Sequence, residues 1–142
     1  MTIQEIISEY KADSEIKEHS LDLESARTYQ LHAKYLGYLA DARSTLRSAS
    51  KAEKMMYTKK ELYYGGSAPA EVYKKAPFDR KIVKSDLYKW IEIDSEYQAV
   101  KDEVMKYEEI VECLVDIIKQ LNGRGYAIKN IIDFLRFKNG VA

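Results

Sequence analysis

The sequence predicts a mainly α-helical, single-domain protein built from long helices, with a short central loop or β-hairpin and a C-terminal helical hairpin. Residues 21–64 contain no Pro and only one Gly, so little in this stretch stops a helix. Both Pro residues and the pair Gly65-Gly66 fall within residues 65–93, where helices are expected to break. A heptad pattern of apolar residues follows. We divide the chain accordingly into an N-terminal helical part (1–64), a central part (65–93) and a C-terminal helical part (94–142).

The N-terminal part begins with a capping-box signature. In Thr2-Ile-Gln-Glu5, the Thr hydroxyl and the Glu carboxylate can each accept a hydrogen bond from a backbone N–H at the helix start. Apolar residues at helical spacing follow and predict an amphipathic first helix. We expect a break or bend near Ser14 or Ser20, and then one helix that continues to Tyr64.

The C-terminal part carries the most regular pattern in the chain. Ser95-Glu-Tyr-Gln98 has the form of a capping box and predicts where its helix begins. Asn122-Gly123 predicts its end, because Gly tolerates the left-handed conformation common just past a helix. Between these signals, apolar residues alternate in steps of three and four, at Tyr97, Val100, Val104, Tyr107, Val111, Leu114, Ile118 and Leu121.

The residues that flank this heptad predict its packing partners. The flanking positions are charged early in the helix and apolar later, at Ile110, Val115 and Ile117. A widening apolar face favours packing against a folded-back helix over residues 126–137 and against a second subunit. An intramolecular helical core is an equally supported alternative. The candidate oligomerisation residues are Val104, Tyr107, Val111, Leu114, Ile118, Leu121, Tyr126, Ile128, Ile131 and Leu135.

Charge is unevenly distributed although the formal net charge is zero. Residues 25–60 carry two acids and eight bases, whereas residues 91–118 carry nine acids and two bases. Within the basic region, Arg43, Arg47, Lys51 and Lys54 follow at steps of four, four and three, which puts them on one helix strip about 80° wide. The strip is either an ordinary solvated face or a track for phosphate groups. The scarcity of nearby acids favours the track.

Lysines among aromatic residues occur on both sides of the central loop. Lys59, Lys60, Tyr63 and Tyr64 precede it, and Lys81, Lys84, Lys89 and Trp90 follow it. Proteins that bind single strands combine cations along the backbone with rings that stack on bases, although Tyr is also a common core residue. Residues 87–93 alternate at period two and predict a strand, paired with residues 81–83 in a hairpin. The hairpin either reaches across a bound strand or merely covers the helical core, and the two alternatives are equally supported. The candidate single-strand-binding residues are therefore these eight together with Arg43, Arg47, Lys51 and Lys54.

Residue patterns for catalysis, cofactors and metals were not found. His19 and His32 belong to no metal-ligand spacing, and Gly65-Gly66 lacks the Gly-Lys-Ser/Thr of a phosphate loop. We therefore expect no catalytic residues, no metal and no cofactor. No apolar run is long enough to cross a membrane, and the N-terminus does not resemble a signal peptide. With Cys113 as the single Cys, placed where a small apolar residue packs, a cytoplasmic protein is expected.

Two segments resemble a known family. Gly123-Arg-Gly-Tyr-Ala-Ile-Lys-Asn-Ile-Ile-Asp133 is similar to the C-terminal signature of the UvsY family of phage recombination mediators, with the Arg-Gly-aromatic-Ala-Ile-Lys core at residues 124–129. Lys60-Glu-Leu-Tyr-Tyr-Gly65 resembles the family's basic segment followed by a Tyr pair and a turn. The family's DNA-binding basic residues map most directly onto Lys60, and less securely onto Lys59.

This resemblance implies a non-enzymatic protein that forms a homo-oligomeric ring and binds single-stranded DNA. It also implies two phage partners: a RecA-like recombinase, which the protein loads, and a single-strand-binding protein, which is displaced. The place of action would be the cytoplasm of an infected bacterium. The competing hypotheses are a helical assembly protein that binds no nucleic acid, and a helical bundle that binds a small molecule or has enzymatic activity.

Overall fold

The structure is a computed structural model that describes residues 1–140, and every regular element in that part of the chain is helical. The four longer helices are α1 (Ile3–Asp13), α2 (Leu21–Tyr64), α5 (Ser95–Asn122) and α6 (Arg124–Lys138). Two shorter helices, α3 (Ala70–Lys75) and α4 (Leu87–Glu92), lie in the central part. One-turn 3-10 helices cover Glu18–Ser20 and Lys84–Asp86. The mainly α fold with long helices and a C-terminal helical hairpin is therefore confirmed.

The sequence signals at the N-terminus are also confirmed. Thr2 caps α1 with both hydrogen bonds of a capping box: its hydroxyl accepts from the Glu5 N–H, and the Glu5 carboxylate accepts from the Thr2 N–H. The expected break occupies the short stretch between Asp13 and Leu21. Helix α2 then continues through Gly37 for 44 residues, which corresponds to about 66 Å at ~1.5 Å per residue.

The predicted β-hairpin over residues 81–93 is wrong. The structure has the 3-10 turn Lys84–Asp86 and helix α4 in its place. The period-two alternation was misleading because Leu87, Trp90 and Ile91 also follow helical spacing, and these are the residues that turn away from solvent, with Ile91 completely buried. One helical turn therefore buries the same apolar side chains that a strand would have shared between two faces.

Two predicted details of α5 also need correction. Asp94, not Ser95, caps the helix, because its carboxylate accepts from the Tyr97 N–H at 3.0 Å. Residue Gly123 separates α5 from α6 as expected, but its φ is −87°, so the chain bends there without a left-handed residue. The bend uses ordinary right-handed geometry, and α6 begins at the next residue.

The chain forms two compact units, which are described separately. Unit 1 consists of residues 1–43 and the chain from residue 109 onward, and unit 2 consists of residues 44–108. Helices α2 and α5 each contribute residues to both units.

The core of unit 1 is apolar and is bordered by a network of charges and hydroxyls. Tyr35 is completely buried, and its hydroxyl donates to Asp13 at 2.9 Å. Lys34 pairs with Asp13 and with Glu9, each at 2.6 Å. Burial alone would raise the pKa of Asp13, but the hydrogen bonds from Lys34 and Tyr35 outweigh burial and lower it. The buried apolar residues of this core are Ile6, Leu31, Tyr35, Leu39, Ala42, Ile110, Leu114, Ile117, Leu121 and Ile128.

A buried ion pair holds the start of α6 in unit 1. Arg124 and Glu24 are each only 5% exposed, and their guanidinium and carboxylate groups lie 2.5 Å apart. The guanidinium also donates to the Glu24 carbonyl at 2.6 Å and to the Thr28 hydroxyl at 2.8 Å. A longer hydrogen bond, at 3.4 Å, reaches the Glu15 carbonyl between α1 and α2. One side chain therefore ties α6, α2 and the α1–α2 connection together.

Unit 2 is organised around Asp94. Its carboxylate accepts from the Tyr64 hydroxyl at 2.7 Å and from the Tyr97 N–H, and it pairs with the Lys60 ammonium at 3.3 Å. Burial opposes ionisation of this carboxyl, but the three donors outweigh burial and hold its pKa below the usual range. The Tyr97 hydroxyl donates to Glu53 at 2.7 Å; burial, then this bond, raises the pKa of Tyr97 to about 12.

We predict that Arg124→Met lowers the free energy of unfolding by about 3–5 kcal/mol, because it leaves the Glu24 carboxylate buried without its partner. Chemical denaturation at a fixed subunit concentration measures this loss. The double variant Arg124→Met/Glu24→Met should recover part of the loss, since both charges are then removed.

Lys106→Met is the matched control, because Lys106 pairs with Glu103 in a half-exposed ion pair at 4.0 Å of the kind that contributes at most about 1 kcal/mol. Equal losses from Arg124→Met and Lys106→Met would contradict the role assigned to the buried pair.

The lowered pKa of Asp94 predicts a specific pH dependence of stability. Its contribution is fully present above the ordinary value of 3.8 and is lost as the pH falls through the lower folded-state value. Asp94→Asn removes this contribution. The difference in free energy of unfolding between the two proteins should therefore be largest near neutral pH and shrink below about pH 4. A difference that stays constant down to about pH 2.5 would contradict the prediction.

Candidate nucleic-acid interface

A strip of exposed cations runs along α2. Arg43, Arg47, Lys51 and Lys54 are all exposed and lie within about 80° around the helix at ~100° per residue. None of them forms an ion pair with another residue in the described part of the chain. The last three belong to unit 2, whereas Arg43 ends the first segment of unit 1. The predicted outward position of the strip is therefore what the structure shows.

A groove in unit 2 adjoins Lys54. It lies along α2 and α3 and has a volume of about 750 Å³. Its apolar surface includes Met55 and Leu62, which are 74% and 45% exposed. Lys54, Lys59 and Lys75 line the same groove, and all three are exposed. Lys60 and Glu96 line it as well, but they pair with each other at 3.4 Å. We call this the cationic groove: an apolar surface bordered by positive charge, as suits a chain with a charged backbone and flat apolar bases.

The structure separates the two neighbouring lysines that the sequence grouped together. Lys59 is exposed and makes no ion pair with a described residue. Lys60 is 8% exposed, and its ammonium lies 3.3 Å from Asp94 and 3.4 Å from Glu96. The lysine to which the family resemblance assigned DNA contact is therefore already paired, whereas its neighbour is available.

The tyrosine pair at the end of α2 packs into an aromatic cluster. Tyr63 lies against Tyr73 and Phe78, each with ring centroids 5.5 Å apart, and Tyr64 lies 5.1 Å from Phe78. Both hydroxyls are also engaged: Tyr63 donates to the Ala76 carbonyl at 2.9 Å, and Tyr64 donates to Asp94. Burial and the bond to Asp94 raise the pKa of Tyr64. These rings hold the segment after α2 in place and leave little surface for stacking on bases.

The second predicted cluster is partly available. Lys81, Lys84 and Lys89 are exposed, although Lys89 pairs with Asp86 at 3.5 Å. Trp90 is half-buried, 5.8 Å from Phe78, and the Arg80 guanidinium lies 5.6 Å from its ring centroid.

Sequence reasoning missed two cations as site residues. Lys75 lines the groove, and Arg80 lies over the Trp90 ring. Lys75 occurs in the mixed segment Tyr73-Lys-Lys75, and Arg80 directly precedes the predicted site residue Lys81. Extending the search for mixed cations and aromatics through the whole central part would have found them.

The candidate oligomerisation residues fall into three groups. Leu114, Leu121 and Ile128 are buried in the core of unit 1, where they pack within their own chain. Tyr126 is 74% exposed. The remaining residues are half-buried, namely Val104, Tyr107, Val111, Ile118, Ile131 and Leu135.

Phe134 and Phe137 are also exposed, at 63% and 82%, and were not singled out from the sequence. Their spacing from Tyr126 on one helix face was the available signal.

Neither a metal site nor a membrane-spanning helix is found among residues 1–140. Within residues 1–140, no three His, Cys, Asp or Glu side chains are grouped so that they could hold a metal ion. None of the described helices has both the length and the apolar character that a membrane span requires.

Comparison with solved structures shows the fold. The chain matches three crystal structures of the bacteriophage T4 recombination mediator protein UvsY, each at 20% sequence identity. The TM-score is 0.86 for lattice type II, with 98% of both chains covered. It is 0.84 for lattice type IV, covering 97% of this chain and 99% of the other, and 0.85 for lattice type I, covering 94% and 98%.

Sequence comparison shows the family. No curated protein sequence matches the chain. A family model described as "Recombination, repair and ssDNA binding protein UvsY" matches residues 9–141, which is nearly the whole chain. The chain therefore belongs to the UvsY family of recombination, repair and single-stranded-DNA-binding proteins.

Proposed function

We propose that this protein is a recombination mediator that binds single-stranded DNA through the exposed cations of α2 and the adjoining cationic groove. The observation that carries the proposal is the run of exposed cations Arg47, Lys51, Lys54 and Lys59, which no described acid neutralises. Unpaired lysines and arginines on one face release counterions when they meet phosphates, and this release drives binding without reading sequence. Family membership supports the same function.

The geometry suits a flexible strand. Cations four and three residues apart on a helix are about 6 Å and about 4.5 Å apart along its axis, so Arg47, Lys51 and Lys54 form a closely spaced charged track. The track leads to the cationic groove, where Met55 and Leu62 present apolar surface to sugars and bases. Met55 and Leu62 carry no N–H or O–H with which to donate hydrogen bonds to base edges, where sequence is read, and this suits a protein that acts along any sequence.

Recombinase loading is the finer part of the proposal. The protein would promote loading of a RecA-like recombinase onto single strands covered by a phage single-strand-binding protein, in the cytoplasm of an infected bacterium. Assembly into a homo-oligomeric ring would present several copies of the track to one strand, so that weak contacts add through avidity. No chemical step is required of the protein, and the proposal is for a non-enzymatic function.

Loading is tested by following filament formation of the recombinase on strands saturated with single-strand-binding protein. The mediator proposal predicts a shorter lag when this protein is added. An unchanged lag, despite tight binding to naked single strands, would restrict the function to DNA binding.

We predict that Arg47→Glu/Lys51→Glu weakens single-strand binding at least tenfold at low salt and flattens its salt dependence. Each lost phosphate contact should reduce the log–log salt slope by about 0.7. Fluorescence anisotropy of a labelled oligonucleotide across a salt series measures both effects. Lys11→Glu/Lys17→Glu changes two exposed cations of unit 1 and serves as the control. Unaltered affinity in the α2 variant would move the binding track elsewhere, and no binding by the unaltered protein would favour the assembly-protein hypothesis.

The neighbouring lysines give an opposed pair of predictions. Lys59→Met should weaken single-strand binding and leave the free energy of unfolding unchanged, because Lys59 is exposed and unpaired. Lys60→Met should lower the free energy of unfolding, because Asp94 then loses one of its donors, and should change affinity little while the protein remains folded. Affinity and denaturation are measured on both variants. A folded Lys60→Met protein with markedly weakened binding would return the DNA contact to Lys60.

A further inference from the structure

Helix α6 presents aromatic side chains on the side that faces away from its own core. Tyr126, Phe134 and Phe137 are 74%, 63% and 82% exposed, whereas Ile128 is buried. At ~100° per residue, Tyr126 and Phe137 point in directions about 20° apart, and Phe134 points about 60° from Phe137. We call these three residues the aromatic face. Three exposed rings on one side of a helix form an apolar surface that no described residue covers.

The charge around the aromatic face is positive. Lys129, Arg136 and Lys138 are exposed, and none forms an ion pair with another described residue. Asp133, the one acid in the sequence of α6, is also exposed and points about 20° from Tyr126, so the surface carries three cations and one acid. A partner for this surface should therefore combine apolar side chains with negative charge.

Unit 1 itself contains such a surface. A groove of about 480 Å³ lies along α1 and α5, and its apolar residues include Ile7, which is 52% exposed, and Ile117. Glu109, Glu112 and Asp116 line the same groove and are exposed. These three acids form no ion pair with a described residue, and no Lys or Arg lines the groove. We call this the acidic groove.

We propose that the aromatic face of one copy docks into the acidic groove of a second copy. The proposal rests on the homo-oligomer of the proposed function and identifies its contact. The rings cover the exposed apolar side chains of the groove, and the surrounding cations approach its three acids. Each aromatic side chain can bury about 150–250 Å². Three therefore contribute roughly half or more of the ~800 Å² per partner of a standard interface.

The two surfaces differ, so the contact is heterologous. Each copy uses its acidic groove for one neighbour and its aromatic face for the other, and such contacts close into a ring when the rotation between copies allows it. An isologous dimer would use one patch twice. A heterologous contact has a distinctive property: a copy with a damaged groove can still offer its face, and a copy with a damaged face can still offer its groove.

Two variants test this property. The groove variant is Glu112→Lys/Asp116→Lys, and the face variant is Phe134→Ser/Phe137→Ser. All four side chains are exposed, and circular dichroism checks that each variant folds. Neither variant alone should assemble, because every contact requires both surfaces. Mixed in equal amounts, the two should form a species of two subunits, twice the 16.5 kDa of one chain, and nothing larger, as measured by light scattering.

Matched controls and a parallel DNA-binding measurement make the result specific. Asp102→Lys/Glu108→Lys reverses two exposed acids of α5 outside the groove and should keep the mass of the unaltered protein. A groove or face variant that retains that mass, or a mixture that stays monomeric, overturns the proposal. If the unaltered protein is oligomeric and binds single strands while both variants keep its mass, this inference alone fails. If the unaltered protein is monomeric, both this inference and the oligomeric part of the proposed function fail.

Discussion

The buried pair of Arg124 and Glu24 is the interaction on which unit 1 depends most. Two charges that are each only 5% exposed are costly to remove from water, and the cost is offset only when the pair is well hydrogen-bonded. The Arg124 guanidinium meets that requirement through the Glu24 carboxylate and carbonyl and the Thr28 hydroxyl. Its Nε has no hydrogen-bond partner among the described residues, so the two terminal nitrogens, Nη1 and Nη2, make all of these hydrogen bonds. Arg124 thereby fixes the first turn of α6, whereas the opposite side of that helix stays exposed.

In unit 2, the Asp94 carboxylate is stabilised by two neutral donors and one cation. Asp94 caps α5, accepts from the Tyr64 hydroxyl and pairs with Lys60. Lys60 therefore stabilises the fold through its ion pair, whereas the neighbouring Lys59 is exposed to solvent. The proposed function depends on this division, because a cation that already has a carboxylate partner releases no counterion to DNA. The exposed cations of the strip and of the cationic groove, in contrast, form no ion pair with a described residue.

Much of the fold could be predicted from the sequence because helix signals are local. The Thr2 cap, the absence of breakers in residues 21–64 and the apolar period of α5 each act over a few residues, and each predicted its element correctly. The hairpin prediction failed because seven residues that alternate at period two can also place Leu87, Trp90 and Ile91 on one side of a single helical turn. Only tertiary packing decides between these outcomes.

The candidate site could be predicted only in part. The outward direction of the α2 strip follows from helix periodicity, whereas the burial of Lys60 depends on Asp94, 34 residues further along the chain. The packing of the tyrosine pair has the same long-range dependence. Tyr63 and Tyr64 are held by Tyr73, Phe78 and Trp90, which come together only in the folded unit.

We propose that single-stranded DNA lies on α2 of unit 2 and enters the cationic groove. The most direct measurement is photo-cross-linking of a halogenated deoxyuridine oligonucleotide to the full-length protein, followed by mass-spectrometric identification of the linked residues. Binding of DNA in the groove predicts cross-links centred on the exposed side chains of Met55 and Leu62, which disappear at high salt. Cross-links confined to unit 1, or the same cross-links after Arg47→Glu/Lys51→Glu, would contradict it.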